Sequence, residues 1–206
     1  MDGLRVARGI TPETTDAVAR LLLAAFPLKV RHELAPSTPE QGCRLIAASI
    51  EPSLGWVACG SGGSALGVIG VDTREARFQR HRYRVLAREF GYAAAIPRWC
   101  MATVEHAVTR PQRRQWRVAV LAVSEEARGL GVGTRLLDAV IDSAREADMR
   151  TVGLQVVDSN DRALRLYERM GFRRAFTLPT GWITSRAGYR AVRFMVLDLR
   201  DATVSA

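Results

Sequence analysis

Val118–Thr134 reads VAVLAVSEEARGLGVGT. It opens on an apolar run, Val118–Val123, and passes a short polar turn, Ser124–Ala127. It then reaches Arg128-Gly129-Leu130-Gly131-Val132-Gly133, with Thr134 at the start of an amphipathic stretch. Val132, Leu136, Leu137, Val140, Ile141 and Ala144 recur there at helical spacing. The pattern is that of a strand feeding a glycine-rich turn that opens a helix. Glycines let a backbone approach a ligand closely, and the unpaired N–H groups of a helix start attract an anion, most simply a phosphate. No Gly-Lys-Ser/Thr ends the turn, so it is not a nucleotide P-loop, and its spacing fails the dinucleotide fingerprint. Read alone, the same residues also fit a helix entry with glycines for close packing.

Outward from this stretch, Trp116–Val123 is apolar on both alternating faces and is predicted to be a central strand covered on both sides. Thr151–Val157 reads as the next strand, and Trp116–Val157 as a right-handed strand–helix–strand crossover to a parallel partner. Asp158-Ser159-Asn160-Asp161 caps a further helix with Ala163, Leu166, Tyr167 and Met170 on one face and Gly171 as its stop. Phe172–Thr177 and Ala191–Leu199 complete the sheet, with a polar loop at Gly181–Arg190. Upstream, Leu4–Ile10 reads as a first strand, and Thr11-Pro12-Glu13 starts a helix that Pro27 stops. Leu28–Pro39 reads as an irregular connection and Pro39–Ser49 as a second helix. Gly55–Gly60 and Ala65–Asp72 form a hairpin across Ser61-Gly62-Gly63-Ser64. Thr73–Arg114 breaks the pattern: it is arginine-rich, punctuated by Pro97 and Pro111, and helical over Val85–Phe90 and Ile96–Val108. It is too short and too weakly apolar to hold a core of its own, so residues 1–206 read as one domain with a helical excursion between the third and fourth strands.

Composition bounds the function. With 206 residues, 48% hydrophobic and 25% charged, the chain is an ordinary globular one. The net charge of +9 is carried almost wholly by arginine, since Lys29 is the only lysine. An anionic partner would use that charge, but no arginine tract alternates with aromatics as a nucleic-acid groove would, so solvated arginines are the simpler reading and nucleic-acid binding is not expected. Cys43, Cys59 and Cys100 are far apart and odd in number, which argues against a disulfide framework and for small buried hydrophobes in a reducing compartment. Arg5 and Arg8 interrupt any signal peptide, and no apolar run is long enough to span a bilayer. The expectation is a cytoplasmic protein without a membrane partner.

Two motifs carry a resemblance. Arg128, Gly131 and Gly133 meet the Gln/Arg-x-x-Gly-x-Gly/Ala signature of the GNAT N-acetyltransferases. One helix and one strand downstream, Asn160-x-x-Ala163-x-x-x-Tyr167-x-x-x-Gly171-Phe172 is similar to that family's Asn-x-x-Ala…Tyr…Gly-Phe. The resemblance covers Trp116–Thr177 well, Leu4–Asp72 only as an order of elements, and Thr73–Arg114 not at all. It implies the GNAT fold, an α/β (α+β) architecture on a mixed sheet. It also implies transfer of an acetyl group from acetyl-CoA to a primary amine in a ternary complex, with no metal. The backbone of Arg128, Gly129, Leu130, Gly131, Val132, Gly133 and Thr134 would hold the pyrophosphate. Leu121, Ala122 and Val123, where the strands splay apart, would hold the pantetheine arm, and a strand N–H would meet the oxyanion. Tyr167 would protonate the leaving sulfur, and Asn160 would hold the pantetheine or orient a water.

Each of these residues also has a plainer reading: Asn160 as a helix cap, Tyr167 as a core aromatic, Gly171 as a helix stop. The general base is missing, because Arg117–Val123 holds no carboxylate. Glu105, His106 and Asp158 are candidates, and a water chain would serve an amine of low pKa. A non-catalytic acyl-CoA-binding module on the same fold is the competing class, and a homodimer is left open.

Overall fold

The computed structural model describes residues 3–181 and 188–200, without the side chains of residues 32, 33, 101 and 104–108. In chain order the elements are β1 (Arg5–Arg8), α1 (Pro12–Ala25), α2 (Pro27–Glu33), α3 (Pro39–Ser49), β2 (Gly55–Cys59) and β3 (Ala65–Asp72). There follow α4 (Tyr83–Phe90), α5 (Tyr92–Val108), β4 (Gln115–Val123), α6 (Val132–Glu146), β5 (Thr151–Val157), α7 (Asp161–Arg169), β6 (Arg173–Pro179) and β7 (Ala191–Asp198). The seven strands form one sheet in the order β1-β2-β3-β4-β5-β7-β6. Only β4 and β5 run parallel, joined by α6; every other pair is antiparallel.

Local chemistry accounts for most boundaries. Pro12 sits at the first position of α1, and the Thr14 hydroxyl accepts from the Thr11 N–H at 3.0 Å. Pro27 does stop α1, but it also starts α2, where an irregular connection was expected. Its fixed φ suits a first helical position as well as a break, and Val30 and Leu34 of that turn are buried. The strand expected over Leu4–Ile10 is shorter, Arg5–Arg8. The excursion between β3 and β4 is helical as expected, but both helices start earlier, and Pro97 lies inside α5 rather than at its edge. Proline there removes one early N–H, which unpairs only the Ala93 carbonyl within the first turns.

Leu86 and Ala95 of the excursion are buried in the same core as the sheet. Arg44 of α3 grips Glu89 of α4 at 2.9 Å, and Arg98 donates to the Leu34 carbonyl at 2.9 Å. The cysteines depart from the expectation of buried hydrophobes: Cys100 is exposed, and Cys43 and Cys59 are half-buried.

The centre of the sheet carries the feature that matters most. In the β3–β4 ladder Gly70 faces Val120 and Val71 faces Val118, which leaves Ala119 as an extra residue. This is a β-bulge, which bends a strand and increases its twist. Gly70 and Val71 are neighbours and so point to opposite faces; Val120 and Val118 therefore do too. A Cβ on Gly67 would meet Val132 and Leu136, so its face is covered by α6. Val120, on the other face, lines a small space together with Leu22 of α1 and Ile46 of α3. The double cover expected for this strand is present.

Candidate functional site

β4 and β5 pair over only four residues each, Gln115–Val118 with Thr151–Leu154. Beyond the bulge, β4 runs on to Val123 and β5 to Val157 with no bond between them. The sheet is therefore split open on its C-terminal side. The Ser124 N–H donates to the Leu66 carbonyl at 2.9 Å, which fixes the parity of the β3–β4 ladder. Hydrogen-bonded pairs alternate along an antiparallel ladder. Ser124 and Ala122 thus spend their backbone groups on β3, and those of Leu121 and Val123 point into the opening. The sequence grouped Leu121, Ala122 and Val123 as one pantetheine site; the ladder removes Ala122, whose backbone faces Val68.

The opening leads directly into the glycine turn. After a 3₁₀ turn at Glu125–Ala127, Gly129 and Gly131 stand at φ +88° and +75°, and Gly131 is the N-cap of α6. A side chain rarely adopts that backbone, and nothing lies within 4 Å of where a Cβ on Gly131 would be. Among the described residues, none of the N–H groups of Gly131, Val132, Gly133 and Thr134 donates to another group of the chain. Four donors and the positive end of the α6 dipole thus face a space fit for phosphate oxygens. Val132 gives the site only its backbone, since its side chain is buried, whereas Leu130 is exposed. Gly133 has a second job: a Cβ there would come within 3.3 Å of Leu166, so its absence lets α6 close on α7. Arg128 leans on Glu125 at 3.2 Å, which holds the guanidinium beside the loop.

Two groups at this site were not legible in the sequence. The Arg162 guanidinium, from the first turn of α7, lies 3.6 Å from where a Cβ on Gly129 would stand. Among the described residues it has no ion-pair partner. The Ser124 hydroxyl, at the end of β4, is buried without a hydrogen-bond partner among the described residues. A buried hydroxyl left unsatisfied is costly unless something else meets it.

Asn160 caps α7, its side-chain oxygen accepting from the Ala163 N–H at 3.1 Å. The cap reading of this residue is therefore realised, and its amide N–H₂ is left to act on a ligand. Tyr167 is buried on α7, its ring tilted against Phe172 at 5.8 Å. Its hydroxyl has no partner among the described residues, and burial pushes its pKa up to about 12. Asp158 accepts from the Arg190 N–H, which holds its carboxyl below the usual range. It is thus a poor proton acceptor. The side chains of Glu105 and His106 lie outside the described residues.

The pattern of the acetyltransferase (GNAT) family matches residues 16–172. A mycothiol acetyltransferase from Acidimicrobium ferrooxidans is 44% identical over 55 residues, which span 27% of this chain and 18% of that protein. The chain thus matches about a fifth of that relative's length. A GCN5-related N-acetyltransferase from Kribbella flavida superposes with a TM-score of 0.61 at 21% identity, covering 96% of this chain and 98% of that one. The ribosomal-protein-S18-alanine N-acetyltransferase from Escherichia coli gives 0.59 at 14%, covering 95% and 94%. At such identities the two structures bear on the fold alone. An open parallel pair that runs into a helix start, together with a family pattern spanning most of the sequence, places this chain in the GNAT acetyltransferase family.

Proposed function

We propose that this enzyme, working as a single domain in the cytoplasm, transfers the acetyl group of acetyl-CoA to a primary amine by direct attack in a ternary complex. The carrying observation is the split sheet: Leu121 and Val123 turn unpaired backbone groups into an opening that leads straight into a loop of unpaired N–H groups. The residues suit the cosubstrate. Gly129 and Gly131 leave room for the pyrophosphate, Gly131–Thr134 supply donors, and Arg128 and Arg162 supply charge. Ser124, whose hydroxyl is buried without a partner among the described residues, joins the opened end of β4 to that loop.

In this reading the pantetheine arm continues the sheet along β4 as an extra strand would. The thioester carbonyl oxygen is then held by a β4 N–H that costs no reorganisation when charge develops on it. Asn160 steadies the arm through its free amide N–H₂, and the Tyr167 hydroxyl donates to the departing sulfur. Binding amine and thioester on either side of one opening supplies proximity.

The test is release of free thiol from acetyl-CoA over a panel of small amines, amino acids, aminoglycosides and peptides with free N-termini. Amine-dependent release is expected. Tight acetyl-CoA binding with no turnover on any amine would instead favour the non-catalytic module. Salt-sensitive nucleic-acid binding with no affinity for acetyl-CoA would remove both.

A further inference from the structure

Transfer to an amine needs a group that takes the amine's proton, and the split strand itself offers none. On the face of the sheet away from α6, a space of about 20 Å³ lies between α1, α2, α3 and β4. That is room for roughly one water molecule. Leu22, Ile46 and Val120 form part of its apolar wall, and the polar side chains that break the wall are Lys29, Gln79 and His81. Val120 belongs to the part of β4 that has left β5 and adjoins Leu121, whose backbone faces the opening. The space therefore backs onto the strand that would hold the thioester, on the side opposite the glycine turn's helix.

The segment that delivers His81 is pinned. Phe78 is fully buried, and its carbonyl accepts from the Glu51 N–H at 2.8 Å. Gln79 bridges to Ile50, the Arg80 N–H donates to the Ser49 carbonyl at 2.8 Å, and α4 begins at Tyr83. A half-buried imidazole on so short a tether is well placed for a proton transfer that depends on geometry.

We infer that His81 accepts the proton of the acceptor amine, through one water in this space; the inference rests on the acetyltransferase reading above. A proton of the ammonium first passes to the water as the water's own proton passes to a ring nitrogen of His81, which frees the nitrogen lone pair; methoxyamine arrives with its lone pair already free. The lone pair forms the N–C bond while the carbonyl π pair moves onto oxygen. Collapse restores C=O and breaks C–S, the nitrogen gives its surplus proton to solvent while the released thiolate takes one from it, and the imidazolium returns its proton to solvent. Lys29 is the other titratable side chain on these walls.

The experiment compares wild type with His81→Ala, His81→Gln and Lys29→Met in the thiol-release assay, against an alkylamine that is protonated at neutral pH and against methoxyamine, which is not. Acetyl-CoA binding is followed in parallel by thermal shift. For both His81 variants kcat/KM on the alkylamine should fall by about 10²–10⁴-fold. Methoxyamine should lose much less, the acidic limb of the pH profile should vanish, and added imidazole should restore His81→Ala. Acetyl-CoA binding should stay as in wild type. Equal losses on both amines, or loss of the acidic limb in Lys29→Met rather than in the His81 variants, would overturn the inference. So would wild-type rates in His81→Ala. Failure of the wider reading is seen separately, as wild-type protein that turns over neither amine, and it takes this inference with it.

Discussion

Tyr167 shows how burial decides what a side chain can do. With its pKa pushed up to about 12, it keeps its proton through neutral pH. A thiol at its ordinary value near 8.5 would take that proton only uphill, by roughly 5 kcal/mol. The hydroxyl therefore serves the sulfur best as a hydrogen-bond donor while the C–S bond is breaking. Tyr167→Phe should leave acetyl-CoA affinity near wild type and lower kcat by about 10²–10³-fold, the loss of one donor to a developing charge, which steady-state kinetics with a turned-over amine will check. The folded pKa lies above the ordinary tyrosine value of about 10. Its contribution to stability is thus complete below about pH 10 and is lost as the pH rises towards 12. Any alkaline limb seen below about pH 10 should consequently survive in Tyr167→Phe.

Gly131→Asp should abolish the thermal shift given by acetyl-CoA, since it puts a side chain and a negative charge among the open N–H groups; an unchanged shift in a folded variant would remove the loop assignment. Arg162→Ala should weaken acetyl-CoA by roughly tenfold, near 1.4 kcal/mol, and leave acetyl-pantetheine unaffected, as calorimetry can show. Neither Arg162 nor the Ser124 hydroxyl could be read in advance. One arginine among 30 basic residues carries no signal until folding sets it beside Gly129.

At the scale of elements, the most exacting contact is the end of the β3–β4 ladder. Asp72 is buried, accepts from the Phe78 N–H at 3.0 Å, and pairs with Arg77 at 2.9 Å and Arg117 at 2.5 Å. Removing one partner of a buried pair strands the other charge. Asp72→Ala should cost about 3–5 kcal/mol in urea unfolding, and Asp72→Asn less, because it keeps the Phe78 bond. The elements themselves were largely legible. β3, α3 and β5 match the expected bounds, since period, caps and turn residues agree there.

What was not legible was the second role of one proline, and the bulge. Pro27 stops α1 as read but also opens α2, where its missing N–H is not needed, and Pro97 lies inside α5 at the cost of a single bond. The change of face at Ala119 is invisible in the sequence. A run of alternating small and apolar residues looks the same whichever side each lands on. The two GNAT motifs could be found without it, but the parity that turns Leu121 and Val123 towards the opening could not.

On the scale of the molecule, the sheet is two blades, β1–β4 and β5-β7-β6, joined by the four residue pairs at the base of the opening. So narrow a neck makes the second blade the one that opens more readily. In hydrogen exchange the amides of β5 should exchange faster than those of β2 and β3, and acetyl-CoA should slow β5 together with the Leu121 and Val123 amides. Equal protection of both blades, with and without acetyl-CoA, would contradict this. The strand order has a consequence for synthesis as well. Among the described residues β6 pairs with no strand but β7, and β5 has its long ladder with β7 rather than with β4. While the ribosome is still making residues 180–190, β6 has nothing to pair with and β5 presents a bare edge. The cofactor half of the site can thus be translated in full, from Leu121 to Tyr167, well before the blade that holds it upright exists. A nascent chain stalled at Tyr189 should bind acetyl-CoA poorly although every residue assigned to the cofactor has been made.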